Sequence, residues 1–217
     1  MQEDEIVDIY RHFLTFLCGK KDYIAPLQLT GRLEDYLVHE FIIYAFNETH
    51  GELLGLTNLG KKGEQKYDIA FLRNNSGDEK EIAYAFEVKY IRNAHRIYEK
   101  EEAGDEITST LKSLSKQLEG VIGENHGEYP VCQKAVGTKV YGLVFASCRK
   151  LGRDEKREKE DFYNKKILGK AEGKGFSSVI SNDGEPTFDK VYDDIEVKAV
   201  GLKYYLTLRA GLWHRHI

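Results

Sequence analysis

Cysteine and proline are scarce in this chain, long apolar runs are missing, and there is no excess of positive charge. Each shortage closes off a class of protein. The three cysteines among 217 residues, Cys18, Cys132 and Cys148, are odd in number and far apart. They form no C-x-x-C pair, which excludes a disulfide framework and a paired-cysteine zinc site. Buried free thiols are expected instead. No stretch approaches the roughly 18 apolar residues of a membrane span. The opening "MQEDEIVDIYRHF" is acidic where a signal peptide is basic and then apolar, so a cytoplasmic protein is expected. With three prolines and scattered glycines, no linker marks a domain boundary. There is no H-E-x-x-H pair, nucleophile elbow, P-loop or dinucleotide fingerprint, so acyl transfer and nucleotide hydrolysis find no support.

What is present suffices for one core, since 41% of the residues are apolar and 12% aromatic. A single domain over 1–217 is expected, with an N-terminal helix in 1–29, a core in 30–150 and a helix-and-strand extension in 151–217. The net charge of -4 argues against a chain that coats nucleic acid everywhere, yet a local basic surface is enough for phosphate contacts. Basic residues gather at Lys61, Lys62 and Lys66, at Lys89, Arg92, His95 and Arg96, and from Arg149 to Arg157.

Residues 3–18 carry Ile6, Val7, Tyr10, Phe13, Leu14 and Leu17 at helical spacing, with Gly19 as a stop. A second helix is predicted from about Gly31 to Asn47, with Thr30 as N-cap and apolar residues on nearly all faces, hence well buried. "EQKYDIAFL" and "EIAYAFEVKY", joined by the turn-rich "RNNSGDEK", read as a hairpin. Another helix is predicted in "TSTLKSLSKQLEGVIG". "KVYGLVFASC" then has the continuous apolar character of an interior strand with a parallel partner. A basic helix from about Asp154 to Lys170 and two strands in the tail complete an α/β chain, with a mixed central sheet flanked by helices.

Inside the hairpin stands "FEVKY", Phe86 to Tyr90. Glu87 and Lys89, two apart on a strand, project together to a face expected to be reached by solvent. Counting outward from a turn centred on Gly77 and Asp78 brings Asp68 opposite Glu87, with side-chain bases about 5 Å apart. Like charges so placed repel unless something positive lies between them. A divalent cation answers this, and Mg²⁺ is commonly held by two carboxylates with water or phosphate oxygen completing its shell.

The order of "YDIAFL", then "FEVK" with eighteen residues between Asp68 and Glu87, then a helix containing "KQLEG", resembles the PD-(D/E)XK nuclease superfamily over about residues 30–150. The resemblance implies a restriction-endonuclease-like core and Mg²⁺-dependent hydrolysis of DNA, with Mn²⁺ as a substitute. It implies metal binding by Asp68 and Glu87, joined by the peptide carbonyl between Glu87 and Lys89, and a Lys89 that orients the attacking water and steadies the phosphate. Tyr67 stands where the family name has proline. Gln117, beside the apolar stripe of its helix, matches a polar residue that arranges the site. Glu34, which faces apolar residues early in its helix, matches the family's helix glutamate, with Glu40 as the competing candidate. A homodimer is expected for cutting both strands.

Two other readings stand beside this one. A non-catalytic nucleic-acid-binding or assembly module keeps the fold, and a structural protein carries the same charges as surface ion pairs. A second E-x-K, Glu196 and Lys198 in "DDIEVK", has acidic neighbours too close in sequence to fold back as a hairpin partner. It reads as an ordinary charged strand face.

Overall fold

The computed structural model describes residues 5–59, 67–74, 80–91, 132–151, 176–178, 181–182, 185–186 and 189–215. The predicted helices in 108–123 and 154–170 lie outside them. The chain opens with α1 (Glu5–Gly19), α2 (Lys21–Thr30) and α3 (Leu33–Glu48). It continues with β1 (Leu53–Leu59), β2 (Tyr67–Asn74), β3 (Lys80–Ile91), β4 (Cys132–Leu151), β5 (Phe176–Ser178), β6 (Ser181–Asn182), β7 (Glu185–Pro186), β8 (Asp189–Ala199) and β9 (Leu202–Arg215). The fold is mixed α/β.

The helices begin as the periodicity requires and then depart from it. α1 buries the expected stripe, from Ile6 to Leu17, and leaves Cys18 exposed. The expectation of a buried thiol fails there, because one residue beyond Leu17 the helix has turned its polar face outward. Thr30 does not cap α3. It ends α2, donating from Oγ1 to the Leu27 carbonyl at 2.8 Å and accepting the Arg32 N–H at 3.3 Å. Gly31 follows at φ 74°, a left-handed corner that glycine adopts without penalty. The corner divides the segment into α2, which is not among the predicted helices, and α3. α3 is also less buried than its composition suggests. Leu33, Leu37, Phe41 and Ala45 form one buried stripe, while Ile43 and Phe46 remain exposed.

One sheet of seven strands runs in the order β1, β2, β3, β4, β9, β5, and β8 also pairs with β9. β9 has β4 along one edge; on the other edge β8 covers its first part and β5 its last three residues. β1 is not among the predicted strands. It pairs antiparallel with β2, and Gly55 within it allows α3 to come close: a Cβ there would meet Ile42 at 2.7 Å and the Phe71 ring at 2.9 Å. β3 and β4 are parallel, as the unbroken apolar run of β4 predicts, and β8 and β9 form the predicted C-terminal pair.

Three rings join helix to sheet. Phe41 of α3 meets Phe71 of β2 and Phe86 of β3 edge-on, with centroids 5.7 and 5.5 Å away, and Phe71 and Phe86 are themselves 5.7 Å apart. Edge-to-face rings contribute roughly 0.5–1.5 kcal/mol per pair beyond their buried area. This contact decides which way β3 faces. With Phe86 committed to the helix side, Glu87 projects to the opposite side.

Polar contacts fasten the helices at both ends of the sheet. Glu5 of α1 pairs with Arg73 of β2 and accepts from the Tyr84 hydroxyl at 3.4 Å. At the other end the fully buried Tyr10 donates to Asp189 Oδ2 at 3.4 Å, and Gln28 Nε2 donates to the Tyr192 hydroxyl at 2.9 Å and the Thr207 carbonyl at 3.1 Å. Burial pushes the Asp189 carboxyl up to about 6, despite the Tyr10 hydrogen bond and the charges of Arg11 and Arg209, which lower it.

Candidate functional site

β2 and β3 pair antiparallel with Ile69 opposite Phe86, Ala70 opposite Ala85 and Phe71 opposite Tyr84. Nearer the turn the register slips by one, so that Leu72 meets Ile82 and Asn74 meets Lys80. Ala83 is the extra residue, a bulge that interrupts pairing with β2 and β4 alike. Beyond Ile69 and Phe86 the next step of the register sets Asp68 across from Glu87, as the count from the turn predicts.

A hydrogen bond ties the two strands there. The Val88 N–H donates to Asp68 Oδ2 over 2.7 Å. Because a residue in a strand sends its N–H and C=O to the same edge, the Val88 carbonyl also points toward β2. Phe86 and Val88 belong to the core beneath the helices, whereas Ala85 belongs to a second cluster with Ala70, Leu72 and Ile82. Alternation therefore puts Glu87 and Lys89 on the face of that second cluster, with Asp68. Gly142 of β4 is the neighbour of Glu87 on the other side and offers no side chain. Ala70, Ala85 and Gly142 are small residues near Glu87 on this face of the described strands.

Glu87 is 0% exposed, while Asp68 and Lys89 are half-buried. The expectation that Glu87 reaches solvent is corrected here. A period of two identifies the face to which a residue points, not what lies over that face. The run from Ile82 to Phe86 lacks clean alternation, which is the mark of a strand covered on both sides. That signal is present in the sequence and points to burial.

Tyr67, at the start of β2, is 7% exposed, and its ring belongs to the cluster of Ala70 and Ala85. Strict alternation from Ile69 would assign it to the helix side. Burial first, and then the Glu87 carboxylate, raise its phenol above the ordinary value.

The remaining candidates separate clearly. Glu34 is half-buried in the first turn of α3, where a carboxylate also complements the helix dipole. Glu40 accepts from Lys20 Nζ at 3.3 Å, and the Tyr36 phenol, raised chiefly by burial, hydrogen-bonds to it. Glu40 is therefore engaged with neighbours on the helix side. Gln117 lies outside the described residues, as do the basic cluster at 61–66 and all but Lys89, Arg149 and Lys150 of the other two. The second E-x-K is the ordinary charged face that its neighbours predict. Glu196 is exposed, accepting from the Tyr205 hydroxyl at 3.1 Å and pairing with Lys203 at 3.5 Å. Asp193 instead turns to Arg209 at 2.7 Å and Lys190 at 3.1 Å.

Among the described residues no group of three or more His, Cys, Asp or Glu converges as a metal cage. The donor set at Asp68 and Glu87 is two carboxylates with the Val88 carbonyl beside them. All are hard oxygen donors, the chemistry Mg²⁺ accepts when water completes its shell. No protein-family model, curated protein or solved structure matches this chain. Among the described residues no helix is long and apolar enough to cross a membrane.

Proposed function

We propose that this protein is a Mg²⁺-dependent endonuclease acting on DNA, with a restriction-endonuclease-like core of the PD-(D/E)XK type over about residues 30–150. One observation carries the reading: strand pairing brings Asp68 beside Glu87, with Lys89 two residues further along the same face. Asp68 and Glu87 hold the cation, and the Val88 carbonyl lies on the edge from which it can join them. When bound, Mg²⁺ supplies positive charge that polarises a scissile phosphate and eases deprotonation of water. Lys89 orients the attacking water and balances charge that develops on the phosphate oxygens. Asp68 and Lys89 are the half-buried members and Glu87 the fully buried one, so substrate approaches from their side and Glu87 acts from beneath. The resemblance implies supporting roles for Glu34 and Gln117 and Mn²⁺ as a substitute metal; Glu34 stands on α3, which packs against the Phe86 side of β3. A homodimer is proposed for cutting both strands.

Incubating purified protein with supercoiled plasmid tests this. Nicking or cutting with Mg²⁺ that stops in chelator is expected; intact plasmid across metals and salt concentrations overturns it. The full burial of Glu87 favours a second reading, a nucleic-acid-binding module that retains the fold without catalysis. That reading predicts a mobility shift of DNA with no cleavage.

A further inference from the structure

We propose that the open edge of β1 is an interface between two copies of this chain, which pair β1 with β1 antiparallel across a two-fold axis and join their sheets into one. The interface stands on the edge strand; its bearing on cleavage rests on the reading of Asp68 and Glu87 as metal ligands.

Among the described residues β1 pairs with β2 alone and ends the sheet. Leu53 donates its N–H to Thr49 Oγ1 at 3.1 Å, away from β2, so alternate residues, Gly55 and Thr57, also direct N–H and C=O to the open edge. The bond from the Val88 N–H to Asp68 requires the same parity. It turns Val88 and Phe86 toward β2, so Ile69 opposite Phe86 bonds to β3, and Thr57 opposite Ile69 faces away from β2.

Native sheets blunt such an edge with charge, proline or a bulge. Leu53–Leu59 has none of these: its residues are neutral, and its register with β2 runs unshifted from Leu53 to Leu59. Apolar side chains flank the edge on both sides. Leu54 is exposed on the face where Leu56 meets the cluster of Ala70 and Ala85. On the other face Ile42 of α3 closes on Gly55, and Phe46 and Ile43 stand exposed further round the same helix. The edge thus offers an added strand both backbone bonds and apolar contact.

The neutrality of β1 points to a second copy as that strand. A two-fold sets the strand against itself, so a charge near its centre would oppose its own image. Centred on Leu56, the pairing uses the whole of β1. Gly55 meets the partner's Thr57, two residues with outward N–H and C=O, and Leu54 meets the partner's Asn58. The two β3 strands then lie five strand spacings apart, roughly 24 Å. Both Glu87 faces look the same way across the joint sheet, so the two sites address one substrate.

Sedimentation velocity of the protein in chelator, without DNA and over a wide range of concentrations, reads the assembly, and hydrogen exchange reads the Gly55 and Thr57 amides. A dimer that dissociates on dilution is expected, with both amides exchanging more slowly where the dimer prevails. Thr57→Pro removes an outward N–H at an exposed position, and Leu54→Lys adds charge to an exposed side chain. Each should be folded by circular dichroism and monomeric where the parent is dimeric. If the proline variant does not fold, Leu54→Lys and the exchange rates decide. A parent that stays monomeric overturns the interface and leaves the nuclease reading to the plasmid assay. A dimer that persists in Leu54→Lys, or leaves the Gly55 and Thr57 amides unprotected, also overturns it. A parent that dimerises through this edge yet leaves plasmid intact sustains the interface and overturns the endonuclease alone.

Discussion

Asp68 accepts the Val88 amide over 2.7 Å at the point where β2 and β3 stop pairing through their backbones. The bond sets one carboxylate against the strand segment that carries the other, and leaves Lys89 two residues away from Glu87 on the same face. Four expectations follow from this arrangement and its surroundings.

Glu87→Gln and Lys89→Ala should each lower plasmid cleavage by at least about 100-fold, the scale of losing one group that stabilises developing charge. Gln keeps the shape of a fully buried side chain, and Lys89 is only half-buried, so circular dichroism should show both variants folded. Cleavage at the parent rate by either one would remove that residue from the site.

Asp68→Asn should separate metal binding from stability. Asn can still accept the Val88 N–H, but it gives up one of two facing negative charges. The metal-free variant should melt no lower than the metal-free parent. In the parent, Mg²⁺ at a hundredfold excess over Kd adds about 2.7 kcal/mol by linkage, roughly 5–10 °C for a chain of this length. The variant should gain little. Equal shifts in differential scanning would exclude Asp68 as a ligand.

Glu196→Ala should cut like the parent and melt with it. Its carboxylate is exposed, and its partners Tyr205 and Lys203 lie at the surface, where such pairs add little. A dead Glu196 variant beside an active Glu87 variant would move the site to the C-terminal strands.

Asp189 should impose a pH dependence unconnected with cleavage. Its carboxyl is raised to about 6 in the folded chain from an unfolded value of 3.8. The folded state therefore binds the extra proton between about pH 4 and pH 6, and this group's contribution to stability, complete at the acid end, is lost as pH rises through that window. Asp189→Asn has no charge to bury and keeps an acceptor for the Tyr10 hydroxyl. The melting temperature of the variant minus that of the parent should grow between pH 4 and pH 7; a constant difference would contradict the raised value.

The faces of the strands are legible in the amino-acid sequence alone. Alternation places Asp68, Glu87 and Lys89 together, a simple count from the turn sets Asp68 opposite Glu87, and the apolar run of β4 requires a parallel neighbour. These are properties of a few consecutive residues, because side chains in a strand alternate whatever else the chain does. The count succeeds through a compensation it does not contain: the Ala83 bulge restores a register that is one residue off near the turn.

Tertiary structure decided how deep each residue lies. Glu87 is buried because β3 is covered on both faces, Ile43 and Phe46 are exposed because only one stripe of α3 meets the sheet, and Cys18 is exposed because α1 has turned away from the core. The corner at Gly31, the close approach at Gly55 and the turning of the Tyr67 ring toward Ala85 depend likewise on elements distant in sequence. Local pattern sets the direction in which a side chain leaves the backbone. Burial depends on what packs above it, and that is settled only when the whole chain has folded.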